Sequence, residues 1–141
     1  MKDEGIRPET VDRFLERWHD CVVRSDTVGI GELVADDITM GAPPYWNKLE
    51  GKPLVVYLLG VIVHSIDDFT YHRQWRSGRE LALEFRGHYG MYELQGIDLI
   101  TLADDGRVAN LDVMIRPIDS LLALRDHVGA EMGKFLAAGE S

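Results

Sequence analysis

The sequence predicts an α+β protein in which one strongly curved antiparallel sheet and three helices enclose an apolar pocket, with a further helix at the C-terminus. Apolar residues recur at helical spacing near the N-terminus and after Pro117, whereas from Asp68 onward they alternate with polar residues. Turn sequences divide the alternating region into four strands, and Asp104-Asp105-Gly106 is the most typical hairpin turn among them. Helices followed by a run of hairpins favour an antiparallel α+β architecture.

The length and composition fit one globular domain. The 141 residues match the usual size of a single domain, which we expect to span residues 1–141. The formal net charge is −9, from 24 acidic against 15 basic residues, and no segment concentrates Lys or Arg. Because nucleic acids and anionic membranes attract basic surfaces, we expect neither as a partner.

Three features bear on the compartment. Cys21 is the only cysteine, so no intrachain disulfide can form. The segment after Met1 lacks the apolar core of a signal peptide. The most apolar run, residues 54–63, is about half the ~20 residues that a membrane span requires. We therefore expect a soluble protein of the cytoplasm.

The first two helices are predicted from spacing and capping. Pro8-Glu9-Thr10 begins an amphipathic helix. A second, short helix begins at Ser25-Asp26-Thr27, which supplies N-cap oxygens, and runs towards Ala35. Gly29 and Gly31 weaken this helix, each by about 1 kcal/mol relative to Ala. The inner face of the first helix comprises Val11, Phe14, Leu15, Trp18 and Val22.

The third and fourth helices each follow a proline. Gly51-Lys52-Pro53 begins a helix towards Ile66, at a position where the missing N–H of proline costs little. This run is apolar almost all round, which indicates a central, buried helix. Pro117 begins the last helix, whose inner face comprises Leu121, Leu124, Val128, Met132 and Phe135.

A short strand and a proline-containing loop precede the third helix. Ile38-Thr39-Met40 is typical of a strand, and residues 41–49 form a loop because Pro43-Pro44 exclude regular structure. Tyr45 and Trp46 lie beside the two prolines, which suggests a flap over an apolar site.

The four-strand meander is predicted over residues 69–75, 80–89, 96–102 and 107–115. Period-two alternation places four residues on one face of the first of these strands: Phe69, Tyr71, Arg73 and Trp75. On the last strand, the same alternation directs three side chains towards the pocket: Leu111, Val113 and Ile115.

Asp98 is the most informative polar residue. It lies inside Gly96-Ile97-Asp98-Leu99-Ile100-Thr101-Leu102, a strand that is apolar on both faces. Carboxylates are almost never fully buried without a partner, and burial raises their pKa because it disfavours the charged form. A neutral Asp98 can donate a hydrogen bond or act as an acid–base catalyst. An equally weighted alternative is a structural Asp that is bonded to the backbone or to a Trp N–H.

Cofactor and metal motifs are not evident. Gly29-Ile30-Gly31 lacks the third glycine of a dinucleotide fingerprint and does not follow a strand. A capping turn explains the sequence-adjacent group of His64, Asp67, Asp68 and His72 better than a metal site does, because it straddles a helix end and a strand start. We therefore expect neither a cofactor nor a metal.

Several short segments, taken together and in order, resemble one known family. They are Leu33-Val34-Ala35-Asp36-Asp37-Ile38, Leu49-Glu50-Gly51-Lys52, Gly96-Ile97-Asp98-Leu99-Ile100, and Asp104-Asp105-Gly106-Arg107-Val108 running to Ile115-Arg116-Pro117. In these segments the chain is similar to the nuclear transport factor 2-like superfamily, particularly to SnoaL-like polyketide cyclases and ketosteroid isomerases. The resemblance covers nearly the whole chain and implies a cone-shaped, cystatin-like fold.

The resemblance to ketosteroid isomerases implies roles for three positions. In those enzymes a tyrosine on the first helix and a protonated Asp on a late strand form the oxyanion hole, and a second Asp moves the proton. Here Trp18 occupies the tyrosine position, Ala42 the general-base position and Asp98 the oxyanion position. The Trp18 Nε1–H can still donate, but Ala42 cannot accept a proton. Steroid-type isomerisation by that mechanism is therefore not expected.

The resemblance to SnoaL-like cyclases points to His88. Those enzymes pair a histidine in a His-x-Gly stretch with a downstream Asp that assists a cofactor-free aldol closure, and here His88-Tyr89-Gly90 precedes Asp98. A two-residue turn at Gly90-Met91 would place Phe85 on the face of Asp98 and His88 on the opposite face, whereas a bulge would reverse this. His88 is thus a candidate, with an outward-facing or dimer-contact histidine favoured.

Two classes of function follow. The first is a cofactor-free isomerase or cyclase that acts on a small hydrophobic carbonyl compound, with Asp98 as the acid–base group and Trp18 and His88 as further catalytic candidates. The second, favoured by Ala42, is a non-catalytic module of the same fold that binds a hydrophobic ligand or serves homodimeric interaction. The predicted pocket residues are Tyr45, Trp46, Tyr57, Leu81, Leu83, Phe85, Ile100, Leu111, Val113 and Ile115.

The outer face of the predicted sheet is apolar at Ile97 and Leu99. Members of the resembled superfamily are often homodimers through that face, and large exposed apolar patches are unusual on monomers. We therefore expect a homodimer.

Overall fold

A computed structural model describes residues 5–140 of the chain, and the side chains of residues 5–138. It contains four helices and one curved, six-stranded sheet within these residues, which confirms the α+β class. The elements are α1 (Pro8–Val23), α2 (Thr27–Glu32), β1 (Val34–Gly41), β2 (Leu49–Glu50), α3 (Lys52–Ser65), β3 (Asp67–Ser77), β4 (Glu80–Tyr89), β5 (Tyr92–Leu102), β6 (Val108–Arg116) and α4 (Ile118–Glu140).

The strand order is β2-β1-β6-β5-β4-β3. Strands β3 to β6 form the expected antiparallel meander. The expectation of a wholly antiparallel sheet is wrong at one pairing, because β1 runs parallel to β6, with Thr39 opposite Asn110. A parallel pair needs a long crossover, and the intervening elements from β2 to β5 supply it.

Strand β1 begins earlier than the sequence predicts. Helix α2 ends at Glu32 rather than running towards Ala35, and β1 starts at Val34 rather than at Ile38. Val34 is fully buried and pairs with Val108, whose N–H donates to the Leu33 carbonyl at 2.8 Å. Pairing with a strand more than seventy residues away therefore decides this boundary, which local helical spacing could not reveal.

The helices cover one face of the sheet, here called the inner face, which carries Asp98. Helix α1 buries the five predicted inner-face residues together with Cys21. Helix α3 is central, as expected, with Val55 fully buried at its start. No helix in the described residues is both long enough and apolar enough to cross a membrane.

The opposite, outer face of the sheet carries a charged network around Glu84, which is only 3% exposed. Its carboxylate accepts hydrogen bonds from Arg73 Nε at 2.7 Å, Arg86 Nε at 3.0 Å and Gln95 Nε2 at 2.7 Å. Gln95 Oε1 in turn accepts from Arg116 Nη1 at 2.9 Å. These bonds cross β3, β4, β5 and β6, so the network ties four strands together.

Candidate functional site

A cavity of about 270 Å³ lies between the helices and the inner face of the sheet. Its walls come from α1, the loop after β1, α3, the inner face of β3 to β6, and α4. Almost all of the lining is apolar, and Asp98 is the single carboxylate among the described lining residues. An apolar cavity with few polar groups is the usual form of a small-molecule site.

Asp98 lies on this inner face in the middle of β5. It is opposite Leu83 on β4 and Val113 on β6, and the residue is only 7% exposed. Two further polar side chains lead to it: Asp98 Oδ2 accepts a hydrogen bond from the Tyr71 hydroxyl at 2.7 Å, and the Tyr71 oxygen accepts from Trp18 Nε1 at 2.9 Å. Because an indole N–H can only donate, the hydrogen bonds run in one direction, from Trp18 through Tyr71 to Asp98.

Burial determines the protonation states of the two ionisable groups in this row of hydrogen bonds, Asp98 and Tyr71. It raises the pKa of Asp98 to about 7, and the hydrogen bond from Tyr71 opposes this rise. Burial and the neighbouring Asp98 raise the pKa of Tyr71 well above its usual value. Tyr71 therefore keeps its proton, whereas Asp98 exchanges its proton near neutral pH. Asp98 Oδ1 has no hydrogen-bond partner among the described residues, so it is the oxygen available to a ligand.

Tyr71 is the functional residue that the sequence did not single out. Its ring stacks on His19 with centroids 4.8 Å apart and meets Phe69 edge-on at 5.0 Å. Tyr71 pairs with Phe85, and an extra residue in β3 shifts the register between Tyr71 and Gln74. This bulge corrects the expectation that Tyr71 and Arg73 share one face, because it leaves Tyr71 inside and Arg73 with Glu84 outside.

Seven of the predicted site residues do line the cavity. Asp98 and Trp18 are both part of the lining, and Tyr45 contributes to it from the loop after β1. The other four are Phe85, Leu111, Val113 and Ile115.

Five predicted pocket residues lie elsewhere. Trp46 is 96% exposed and points away from the cavity that its neighbour Tyr45 lines. Tyr57 packs on Phe135, with ring centroids 4.5 Å apart, instead of lining the cavity. Strand alternation predicted correctly which face of the sheet these side chains occupy, but it could not predict which of them reach the cavity. Three of them are packed in the closed core instead: Leu81, Leu83 and Ile100.

His88 does not reach the cavity. The two-residue turn leaves Tyr89 opposite Tyr92, so the register is the one in which His88 faces away from Asp98. Its Nε2 lies 2.9 Å from Asp68 Oδ2, and its Nδ1 lies 3.0 Å from the Gly90 carbonyl oxygen. Hydrogen bonding to Asp68 raises the pKa of His88. The sequence-based suggestion that His88 acts with Asp98 is therefore corrected by this geometry.

Solved structures provide the informative comparisons, since a scan of protein-family models and a search of curated proteins found no match. A steroid delta-isomerase from Pseudomonas aeruginosa is 34% identical, with a TM-score of 0.86 over 94% of this chain and 97% of that one. A bacterial protein with a cystatin-like fold from Silicibacter pomeroyi is 29% identical, with a TM-score of 0.84 over 99% and 98%. A nuclear transport factor 2-like protein from Mesorhizobium loti, 18% identical, has a TM-score of 0.70 over 79% and 94%.

Proposed function

The chain belongs to the nuclear transport factor 2-like, ketosteroid isomerase-like superfamily, and we propose that it is a cofactor-free acid–base enzyme acting on a small hydrophobic carbonyl compound. The observation that carries this proposal is Asp98, a carboxyl group with a pKa of about 7 inside an apolar cavity. A general acid–base group is most efficient when its pKa lies near the working pH. The similarity to a steroid delta-isomerase supports an isomerase or cyclase class of reaction.

In the proposed reaction, Asp98 both removes and returns the proton. In its ionised form, Oδ1 takes a proton from a carbon next to the substrate carbonyl, and the C–H electron pair moves into an enolate. The protonated Asp98 then delivers that proton to another carbon, which completes an isomerisation without net gain or loss of protons. In a cyclisation, the enolate carbon instead attacks a second carbonyl, whose oxygen takes the proton.

Tyr71 supports both stages. While Asp98 is ionised, the Tyr71 hydroxyl donates to Oδ2 and stabilises the charge. Once Asp98 has taken the substrate proton, no anion holds the Tyr71 hydrogen, and the hydroxyl is available to the enolate oxygen. Trp18 keeps the Tyr71 oxygen in place throughout, because its N–H can only donate.

Ala42 distinguishes this site from the ketosteroid isomerase pattern. It lines the cavity at the position to which the resemblance assigns the general base, and its methyl group carries no proton acceptor. We therefore assign proton transfer to Asp98 alone, whereas the resemblance divides the work between two carboxyl groups.

The variant Asp98→Asn tests the proposal. Turnover of a panel of β,γ-unsaturated ketones is followed by the ultraviolet absorbance of the conjugated product. We expect the variant to lose turnover while it keeps its fold and its ligand affinity. Asp112→Asn is the matched control, because Asp112 lies on the neighbouring strand β6, pairs with Lys48 and does not line the cavity. Equal turnover by wild type and Asp98→Asn would refute the role.

A second candidate function is binding without catalysis. Ala42 favours it, since no second carboxylate accompanies Asp98 in the described lining. Native mass spectrometry of the purified protein, followed by extraction of any bound compound, decides between the two. Tight retention of a hydrophobic molecule that is released unchanged after long incubation supports the binding role, whereas appearance of an isomer or a ring-closed product supports the enzyme.

We also propose that the chain forms a homodimer through the outer sheet face. Met114 is 55% exposed there and lies opposite Ile97, and Trp75 is 50% exposed and lies opposite Ala82, which in turn is opposite Leu99. Light scattering is expected to give the mass of two chains, and Ile97→Lys should return it to one chain because it places a charge at the centre of the contact. A wild-type mass of one chain contradicts the homodimer.

A further inference from the structure

Helix α4 forms one wall of the cavity with a stripe of residues spaced three or four apart. The apolar members of the stripe are Leu, Val and Met side chains, but two members differ from them. Arg125 brings a charge to the wall, and Gly129, one turn later, brings no side chain at all. The apolar part of the stripe comprises Leu121, Leu124, Val128, Met132 and Leu136.

Gly129 leaves a notch in this wall. It lies well inside α4, where glycine is less favourable than alanine because it gains the most conformational freedom on unfolding. A close contact does not explain it, since a Cβ atom built at Gly129 would have no heavy atom within 4 Å. Gly133 has the same open surroundings but does not line the cavity. Gly129 both lines the cavity and is exposed, so the cavity lining reaches the protein surface at this residue.

Arg125 lies beside the notch and is available for binding. Its side chain is 41% exposed, and its Nε and Nη2 both contact a single oxygen, Asp126 Oδ1, at 3.3 Å and 3.2 Å. Such an exposed pair contributes little, so a ligand can replace it easily. Arg125 Nη1 has no hydrogen-bond partner in the part of the chain with described side chains. The guanidinium fork matches the two oxygens of a carboxylate.

Two ionisable side chains in the cavity lining restrict the ligand. Asp98 is buried, the Arg125 side chain is 41% exposed, and most of the remaining lining is apolar. A charged group held against the apolar lining would lose its hydration without compensation, so it must lie at Arg125. The cavity of about 270 Å³ is nearly twice the ~150 Å³ cavity known to bind benzene, which corresponds to about two rings.

We infer that the notch formed by Arg125 and Gly129 is the entrance to the cavity, and that the ligand is a carbonyl compound of about two rings that carries a carboxylate. The carboxylate stays at the entrance on Arg125, while the carbonyl end reaches Asp98. This inference rests on the proposed site at Asp98, and it names the class of substrate.

The first test compares a rigid acid with its ester. The probes are 6-acetyl-2-naphthoic acid and its methyl ester, which differ in the charge and in one methyl group at the end away from the ketone, and affinity is measured by titration calorimetry. Wild type should bind the acid about tenfold more tightly than the ester. Arg125→Gln should abolish that preference, because it weakens binding of the acid more than binding of the ester. Equal affinity of wild type for the two probes overturns the inference.

The second test uses the two glycines as a matched pair. Gly129→Leu fills the notch, and we expect it to weaken binding of both probes by about tenfold or more. Gly133→Leu makes the same change one turn later, outside the cavity, and should leave both affinities at the wild-type value. Equal effects of the two substitutions would refute an entrance at Gly129.

Measuring both binding and turnover separates a failure of this inference from a failure of the proposed enzymatic function. In Asp98→Asn the preference for the acid should persist, because Arg125 is unchanged. Preference for the acid without turnover of any carbonyl compound by wild type supports the entrance and refutes the enzyme. Turnover by wild type without preference for the acid supports the enzyme and refutes the substrate class.

Discussion

Two buried carboxyl groups on neighbouring strands of this protein behave in opposite ways. Glu84 on β4 and Asp98 on β5 are 3% and 7% exposed, and they lie on opposite faces of the sheet. Hydrogen bonds from Arg73, Gln95 and Arg86 lower the pKa of Glu84 to about 2. Burial, opposed only by the bond from Tyr71, raises the pKa of Asp98 to about 7.

The difference shows that low solvent exposure alone does not decide what a buried acid can do, because its hydrogen-bond partners can outweigh the effect of burial on its pKa. Glu84 has cationic partners, so it remains ionised and holds strands together. Asp98 has one neutral donor, so its two protonation states are close in free energy near pH 7, as proton transfer requires.

The largest effect is expected for the stability of Asp98→Asn as a function of pH. The folded-state pKa of Asp98, about 7, lies above the usual value of 3.8, so the folded state holds its proton more tightly. Wild type should therefore lose stability as the pH rises from about 4 to about 8, by about 4 kcal/mol if the full difference is expressed. Asn does not titrate, so denaturant unfolding should show no such loss in the variant. A parallel pH dependence in both proteins would contradict the assignment.

Tyr71→Phe should change both stability and titration. It removes the hydrogen bond that lowers the pKa of Asp98, so this pKa should rise above about 7, as carbon-13 NMR of the carboxyl group would show. The buried Trp18 N–H also loses its acceptor, at a cost of about 1–3 kcal/mol. Tyr89→Phe makes the same change outside the cavity and should alter neither quantity. An unchanged Asp98 titration in Tyr71→Phe would argue against the hydrogen bond from Tyr71 to Asp98.

Glu84→Gln should lower stability at neutral pH, because it removes a carboxylate that stabilises the folded state. Ionised Asp98, in contrast, destabilises the folded state at neutral pH. The pKa of Glu84 is lowered from 4.5 to about 2, so its stabilising effect is present above about pH 4.5 and is lost as the pH falls through 2. Arg73 and Arg86 are more than half exposed, so water screens part of this effect. The denaturation midpoint of the variant should be lower than that of wild type at pH 7, with the gap closing in acid. A higher midpoint at pH 7 would contradict the contrast.

His88→Ala should have the smallest effect. His88 pairs with the exposed Asp68 on the side of the sheet away from Asp98, so turnover should not change. The measurement is turnover of whichever ketone wild type converts, with Asp98→Asn as the inactive reference. A loss of turnover in His88→Ala would restore the histidine to the catalytic site.

The sequence predicted those features that depend on local pattern. Helical spacing located α1, and alternation together with a two-residue turn fixed the face of Asp98 and of His88 correctly. The position of Asp98 in an apolar strand was enough to single it out, because an unpaired carboxylate is costly in such a setting. These signals need only a few neighbouring residues, so they survive without knowledge of the tertiary structure.

The features that the sequence missed depend on long-range register and depth. Tyr71 contacts Asp98 from two strands away, and the bulge that turns Arg73 outward leaves no clear mark in the sequence. Leu83 and Ile100 have the predicted face, but only the packing of the helices decides which part of that face is open. Gly129 carries no apolar signal, so helical spacing could not indicate an opening there.

The bulge in β3 has a consequence for how this protein can change. Tyr71 and Arg73 are two positions apart and would share a side of a regular strand, yet one serves the interior and the other the exterior. Deleting the extra residue between Tyr71 and Gln74 would restore regular alternation, because Tyr71 would still lie opposite Phe85 and Gln74 opposite Leu83. This point of β3 can therefore lose one residue without moving the later side chains of the strand to the other face of the sheet.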